Sequence, residues 1–331
     1  MTIINIQFAP AEFSDLRFAF APLLETTTSY ALLKKNDESA VHYRWSEETR
    51  RALHGLEFPF MDALIPPHRY IADFVTPTPN APVRSLHDEF ERLRATPVST
   101  IHANVQYLIA LHGESEHRRY YLAYPHESVE CLIEELSLYW KRALQPHWDR
   151  ITQRLEGDIL LHARKMALHG TPAMLNDLTD TVSYQDEHLM LQKSECVHQQ
   201  TEYALDGRGL VLAPTVFKYA CGVSWQIVPE YTPMVIYGAH GSGLWHGEPL
   251  PNPEKELVLA FGDARARVLL AVQTPAPTSE LARRLHMTSG AVSQQLKRLR
   301  GAGLVSTQRQ GYFVYYALTE RGQKLIDLFA G

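Results

Sequence analysis

The stretch Thr278-Ser-Glu-Leu-Ala-Arg-Arg-Leu-His-Met-Thr-Ser-Gly-Ala-Val-Ser-Gln-Gln-Leu-Lys-Arg-Leu-Arg300 decides how this chain is read. Its first part, Thr278 to Leu285, predicts a short helix, and His286-Met287-Thr288 a turn. Ser289 to Arg300 predicts a second helix, ended by Gly301 and Gly303, the latter suited to a left-handed cap. Val292, Leu296 and Leu299 recur at i, i+4 and i+7, so they face inward. At about 100° per residue, Gly290, Gln294, Lys297 and Arg298 fall on the opposite face, with Ser293 on the flank. Small residues near the helix start, then amides, then cations are what a helix needs to enter a DNA major groove. Glutamine can pair bidentately with adenine, which makes Gln294 the first choice for reading a base edge.

Working outward, Gly262-Asp263 precedes an apolar-faced helix, Ala264 to Val272, with Asp263 available as its cap. Thr274-Pro-Ala-Pro277 reads as a breaker between that helix and the next. On the other side, Val305 to Arg309 and Tyr312 to Leu318 are strand-forming runs separated by Gln310-Gly311, which predicts a hairpin with Arg309 and Gln310 at its tip. A last helix runs from Thr319 to Phe329. The predicted DNA-contacting set is Thr278, Ser279, Thr288, Ser289, Gly290, Ser293, Gln294, Gln295, Lys297 and Arg298 from the two helices, with Arg309, Gln310 and Tyr312 from the wing.

The runs GDARARVLLAV, TSELARRLHMTSGAVSQQLKRLRGAGLV and RQGYFVYYALTERG together resemble an ArsR-type winged helix-turn-helix domain over about 70 residues. The resemblance implies a transcriptional regulator, a repressor, that binds duplex DNA as a dimer on a pseudo-palindromic operator. Metal-sensing members of that family carry a cysteine cluster near the second helix of the motif, or His and acidic ligands on the last helix. Here Ser279 to Arg284 and Thr319 to Asp327 hold neither Cys nor His, so no metal and no cofactor is expected in this domain.

Upstream, Gly247-Glu-Pro-Leu-Pro-Asn-Pro253 predicts an extended connector, because three prolines at alternate positions forbid helix. Residues 1–246 are read as an N-terminal effector or dimerisation domain, with changes of character near 85 and 180, and residues 254–331 as the DNA-binding domain. Ile3 to Phe8 alternates like a strand, and a helix is expected from Ser14, as cap, to about Lys35. Ser85 to His169 is helical by period, as in Leu132, Leu136, Tyr139, Trp140 and Leu144. Strand formers dominate Asp180 to Trp245: His188 to Gln192, Leu210 to Leu212, Val223 to Val228 and Met234 to Tyr237. The expected fold is therefore α+β, a large, mainly helical N-terminal domain with a short strand-rich section, followed by a winged helix-turn-helix. The pairs Leu138-Tyr-Trp140 with Pro146-His-Trp148, the run Gly209 to Phe217, and Pro233-Met-Val-Ile-Tyr-Gly238 running to Leu244-Trp245 are similar to bacterial regulators with an uncharacterised domain ahead of an ArsR-like winged helix. That similarity implies an effector or dimerisation role and brings no ligand with it.

Charge is divided along the chain. Residues 254–331 hold 11 Lys and Arg against 6 Asp and Glu, leaving 21 against 31 for the rest, so a net +5 adjoins a net −10. With 45% hydrophobic and 21% charged residues, the composition is that of a globular protein, and no apolar run is long enough to span a membrane. The first residues lack the pattern of a secretory signal. Three scattered cysteines, Cys131, Cys196 and Cys221, fit a reducing cytoplasm.

Other features have plainer readings. The nearest histidine groupings are His112 with His117, His162 with His169, and His240 with His246, and none has a metal-site spacing. Gly238 to Gly243 lacks the helix that a phosphate cradle needs directly after its glycines. No nucleophile elbow is present, so no catalytic residue is assigned and the chain is read as a non-enzyme. A dense set of aromatics before residue 246 is read as core, with an aromatic-lined effector pocket as the functional alternative. Two rival readings stay open: an enzyme with an appended DNA-binding domain, and a DNA-binding protein whose N-terminal domain only self-associates.

Overall fold

The computed structural model describes residues 2–35, 42–67, 70–79, 85–193, 200–218, 222–240, 242, 255–310 and 313–329. Two compact units emerge, Met1–Asp37 with Trp45–Ser242, and Glu38–Arg44 with Gly243–Gly331. The proline-rich connector expected at 247–253 lies outside the described residues.

The N-terminal unit runs through β1 (Thr2–Gln7), β2 (Leu16–Phe18), α1 (Pro22–Lys34), α2 (Tyr43–Ala52), α3 (Pro59–Leu64), α4 (Leu86–Arg94), α5 (Val98–His112) and α6 (Glu116–Ala123). It continues with α7 (Pro125–Ala143), α8 (Trp148–His169), α9 (Thr171–Leu175), β3 (Val182–Gln185), β4 (His188–Lys193), β5 (Glu202–Ala204), β6 (Leu210–Thr215), β7 (Val223–Gln226) and β8 (Met234–Gly238). The fold is thus mixed: two strands open the unit, nine helices follow, and six more strands come after them among the described residues. Its strands form two sheets ordered β3-β4-β1-β5 and β2-β6-β8-β7. Strands β2, β6 and β8 are parallel, and every residue of β6 and β8 is buried. Parallel strands covered on both faces read as unbroken apolar runs, and Leu210 to Ala213 and Met234 to Tyr237 do so. On one face Leu210, Leu212, Val235 and Tyr237 share a core with Ile4, Ile6, Leu189 and Leu191 from the other sheet. On the opposite face Val211, Ala213, Met234 and Ile236 pack with Ala21 and Leu24 of α1. Helix α7 packs against α3, α4, α5 and α6, burying Leu132, Leu136 and Tyr139, while α8 lies against β6.

One expected helix is corrected. The segment from Ser14 to Lys35 is not a single helix: a 3-10 turn at Pro10–Asp15 leads into β2, and α1 starts at Pro22. Leu16, Arg17 and Phe18 pair in parallel with Leu210, Val211 and Leu212, far away in sequence, and that pairing overrides the local capping signal of Ser14. Pro22 occupies the first turn, where its missing N–H costs nothing.

The C-terminal unit contains α10 (Lys255–Phe261), α11 (Asp263–Ala271), β9 (Ala276–Pro277), α12 (Thr278–Arg284), α13 (Ser289–Gly301), β10 (Val305–Gln310), β11 (Phe313–Leu318) and α14 (Glu320–Phe329). Its core gathers Leu269, Leu281, Leu285, Val292, Leu296, Leu299, Leu304 and Val305. The sheet is antiparallel, ordered β10-β11-β9. Three local expectations shift here. Gly262, not Asp263, holds the N-cap of α11, and Asp263 instead opens the helix and pairs with Arg267 at 3.7 Å. The segment read as a breaker supplies β9, an edge strand where proline is tolerated because its missing N–H faces away from the ladder. Gln310 pairs with Phe313, so the two residues joining the wing strands are 311–312, one position later than expected. Those two residues, Tyr312 among them, lie outside the described residues.

Candidate nucleic-acid interface

Helix α13 is held by its inner face and its two ends. Val292, Leu296 and Leu299 are fully buried in the unit's core, as their spacing predicted. At the N-terminus Thr288 is the cap, its Oγ1 accepting the Ala291 N–H at 3.2 Å. At the C-terminus the Gly303 N–H donates to Arg300 O at 2.9 Å and the Leu304 N–H to Leu299 O at 3.0 Å, closing the helix with Gly303 at φ 69°. Helix α12 ends in the same way at Leu285, with His286 in the left-handed position.

Helix α12 is tied down by a buried carboxylate. Glu280 accepts from Arg284 Nε at 3.0 Å and pairs with Arg283, while Arg284 also donates to Thr274 O at 3.3 Å. Arg267 reaches from α11 to Leu285 O at 3.0 Å. The first turn of α12 therefore has a fixed position, with Thr278 half-buried and Ser279 exposed.

With the inner face fixed, the outer face of α13 is set. Ser289, Gly290, Ser293, Gln294, Lys297 and Arg298 are all exposed. Arg300, absent from the predicted set, is exposed as well. Among the described residues no carboxylate pairs with Lys297, Arg298 or Arg300, and the helix itself contains no acidic residue. The face is therefore an uncompensated positive stripe beyond a patch of small polar residues. A methyl built on Gly290 meets nothing within 4 Å, so packing inside the unit does not call for glycine there.

Gln295 differs from the rest. It is half-buried and its Oε1 accepts from Arg265 Nε at 3.3 Å, so it braces α13 against α11. Thr288 is exposed, but its hydroxyl is engaged as the cap. On the wing, Ser306, Thr307, Gln308 and Arg309 are exposed along β10, one of the two edge strands of the sheet. Arg309 lies opposite Val314 and Gln310 opposite Phe313, at the end of the ladder rather than beyond it. Ser306 to Gln308 carried no signal in the sequence beyond strand propensity; successive strand side chains alternate, so their exposure means that both faces of the sheet are open along this part of β10.

Of the aromatics singled out in the N-terminal region, Tyr121, Tyr139 and Tyr237 are core, Trp140, Trp148 and Trp225 are half-buried, and Tyr124 is exposed. Tyr139 is buried with its hydroxyl 3.0 Å from Ser29 Oγ, and buried Tyr121 donates to Phe60 O at 3.3 Å. Trp45, which sequence reasoning passed over, is buried and donates its indole N–H to Ala143 O at 3.0 Å. Cys131 sits on α7, its thiol pushed up by burial and by Glu134, Glu127 and Glu135, the opposite of a reactive thiolate. Cys196 and Cys221 lie outside the described residues. No described helix is long and apolar enough to cross a membrane.

Residues 263–307, from the start of α11 into β10, match the family model described as bacterial regulatory protein, arsR family. Comparisons with curated proteins and with solved structures return no match. The segment 263–307 is therefore an ArsR-type regulatory domain, a winged helix-turn-helix of the kind with which bacterial transcription regulators bind DNA.

Proposed function

We propose that this chain is a sequence-specific transcriptional repressor that binds double-stranded DNA as a homodimer. The observation that carries the reading is the outer face of α13, where small polar residues at the entry end give way to an amide and then to unpaired cations. Ser289, Gly290 and Ser293 let the helix approach the groove floor; Gln294 reads a base edge; Lys297 and Arg298 meet phosphates. A glycine that the unit's own packing does not require, at Gly290, fits close approach by an outside surface. The exposed polar strand β10, with Arg309, follows the backbone beside the groove.

Two copies would present two such helices to inverted half-sites. The N-terminal unit then serves as the binding and dimer-forming part, not as an enzyme. A small-molecule effector there would act by favouring one relative placement of the two recognition helices over another. A duplex-DNA target fits a cytoplasmic protein.

The test is selection of bound duplexes from a random library with the full chain. An inverted repeat with half-site centres about 10 bp or a multiple apart is expected. Recovery of unselected sequence at every round would overturn the reading.

A further inference from the structure

Two of the histidine groupings that looked unremarkable in the sequence meet in space. Asp158 and His162 stand one turn apart on α8, and His240 follows the end of β8. One ligand atom from each of the three lies within 4.8 Å of the other two. Asp158 and His162 are buried, and His240 is half-buried. From these positions we infer that Asp158, His162 and His240 form a binding site for a divalent transition-metal ion of the zinc class.

The state of His162 carries the inference furthest. Its side chain is fully buried, yet neither ring nitrogen has a hydrogen-bond partner. Nε2 points at Asp158 Oδ1 from 3.6 Å, too far for a hydrogen bond and close to the roughly 3.3 Å that separates two ligand atoms around a tetrahedral zinc. A buried imidazole whose one polar neighbour stands at 3.6 Å, beyond hydrogen-bond reach, is costly, and buried polar groups in folded proteins are rarely left so. A metal ion between Nε2 and Oδ1 gives the nitrogen a bond and supplies the countercharge to the carboxylate.

The surroundings are those of a ligand held in place. Asp158 Oδ2 accepts the Tyr237 hydroxyl at 2.6 Å, and Oδ1 accepts the His240 backbone N–H at 2.7 Å. These two bonds fix the carboxylate and couple α8 to the end of β8, as outer partners of metal ligands do. Phe18 stacks on the His162 ring at 6.1 Å and Tyr237 meets it edge-on at 5.8 Å, giving the imidazole an apolar wall. Two imidazoles and one carboxylate favour zinc, cobalt, nickel or iron over calcium or magnesium, which take all-oxygen sites. Three protein ligands leave a position for water.

The inference is independent of DNA binding, and its test reads the metal directly. The full chain, stripped with a chelator and dialysed against cobalt(II) or zinc(II), should retain one ion per chain. Cobalt should show ligand-field absorption without a thiolate charge-transfer band. His162→Asn and His240→Asn should each lose that ion, while His169→Asn, changed at an exposed residue of the same helix, should keep it. Tyr237→Phe should keep the stoichiometry with affinity about 10–100-fold weaker. Circular dichroism establishes that each variant folds; should His162→Asn fail, His240→Asn decides, because His240 lies half-exposed beyond the strand end. A wild-type chain that holds no ion, or a His240→Asn variant that binds cobalt as the wild type does, overturns the assignment.

Discussion

His286 and Gly303 occupy the same position on successive helices: each is the first residue past the C-cap, each is left-handed, with φ of 52° and 69°, and each begins a turn closed by the same pair of backbone bonds. After α12 the His286 N–H donates to Arg283 O at 3.2 Å and the Met287 N–H to Ala282 O at 2.8 Å, matching the Gly303 and Leu304 bonds after α13. A side chain in this conformation costs about 1–2 kcal/mol, a strain that glycine avoids. His286→Gly should therefore leave the C-terminal unit as stable or up to about 1 kcal/mol more stable, the gain trimmed by glycine's greater freedom when unfolded. Gly303→Ala should cost about 1 kcal/mol or more. Urea unfolding monitored on that unit checks both, and a loss beyond about 1 kcal/mol in His286→Gly would contradict the shared geometry.

Burial separates two ion pairs of the same helical spacing. Glu280–Arg284 and Glu320–Lys324 are both i, i+4, at 3.0 and 2.6 Å, yet the first pair's side chains are 6% and 4% exposed and the second's 83% and 74%. Glu280→Ala takes the carboxylate from a buried guanidinium that keeps its bond to Thr274 O, and should destabilise the unit by about 3 kcal/mol. Glu320→Ala should change stability by less than about 0.5 kcal/mol, because an exposed pair is screened by water and salt. Comparable losses in the two variants would contradict this account.

In the N-terminal unit, burial pushes the Glu25 carboxyl up to about 8, only partly offset by hydrogen bonds from Thr215 and the Val216 N–H. In the unfolded chain the same group titrates near 4.5. Between those values the folded state holds a proton that the unfolded state has released, so this contribution is complete below about pH 4.5 and is lost as pH rises through about 8. Glu25→Gln mimics the protonated form at every pH. Its urea midpoint should rise relative to wild type between about pH 5 and about pH 8, then run parallel to it. A difference that stays constant across that range would show that Glu25 is ionised in the fold.

How much was legible in the sequence follows from how local each determinant is. The buried stripe of Val292, Leu296 and Leu299 and the left-handed cap at Gly303 depend on residues within two turns, and both stand as read. The equivalent cap at His286 went unseen because histidine does not advertise a positive φ. The wing strands were found but their junction was misplaced by one residue, since the register from Val305↔Leu318 to Gln310↔Phe313 is fixed by cross-strand packing. Strand β2 was lost inside a supposed helix because its partner, Leu210 to Leu212, lies at the far end of the unit. Asp158 and His162 share a helix face that spacing could reveal, but only the fold brings His240 to them.

The central claim is that the outer face of α13 divides its labour between bases and phosphates. It is tested most directly by binding of the full chain to its selected duplex, measured across a salt series for wild type, Gln294→Ala, Lys297→Ala and Arg298→Ala. Each cation removed should lower the slope of log K against log salt by about 0.9 and weaken binding to all sequences alike. Gln294→Ala should keep the slope and lose about 1–3 kcal/mol of discrimination at one base pair. Unchanged slopes in both cation variants, with an unchanged preferred site in Gln294→Ala, would mean that α13 does not face DNA.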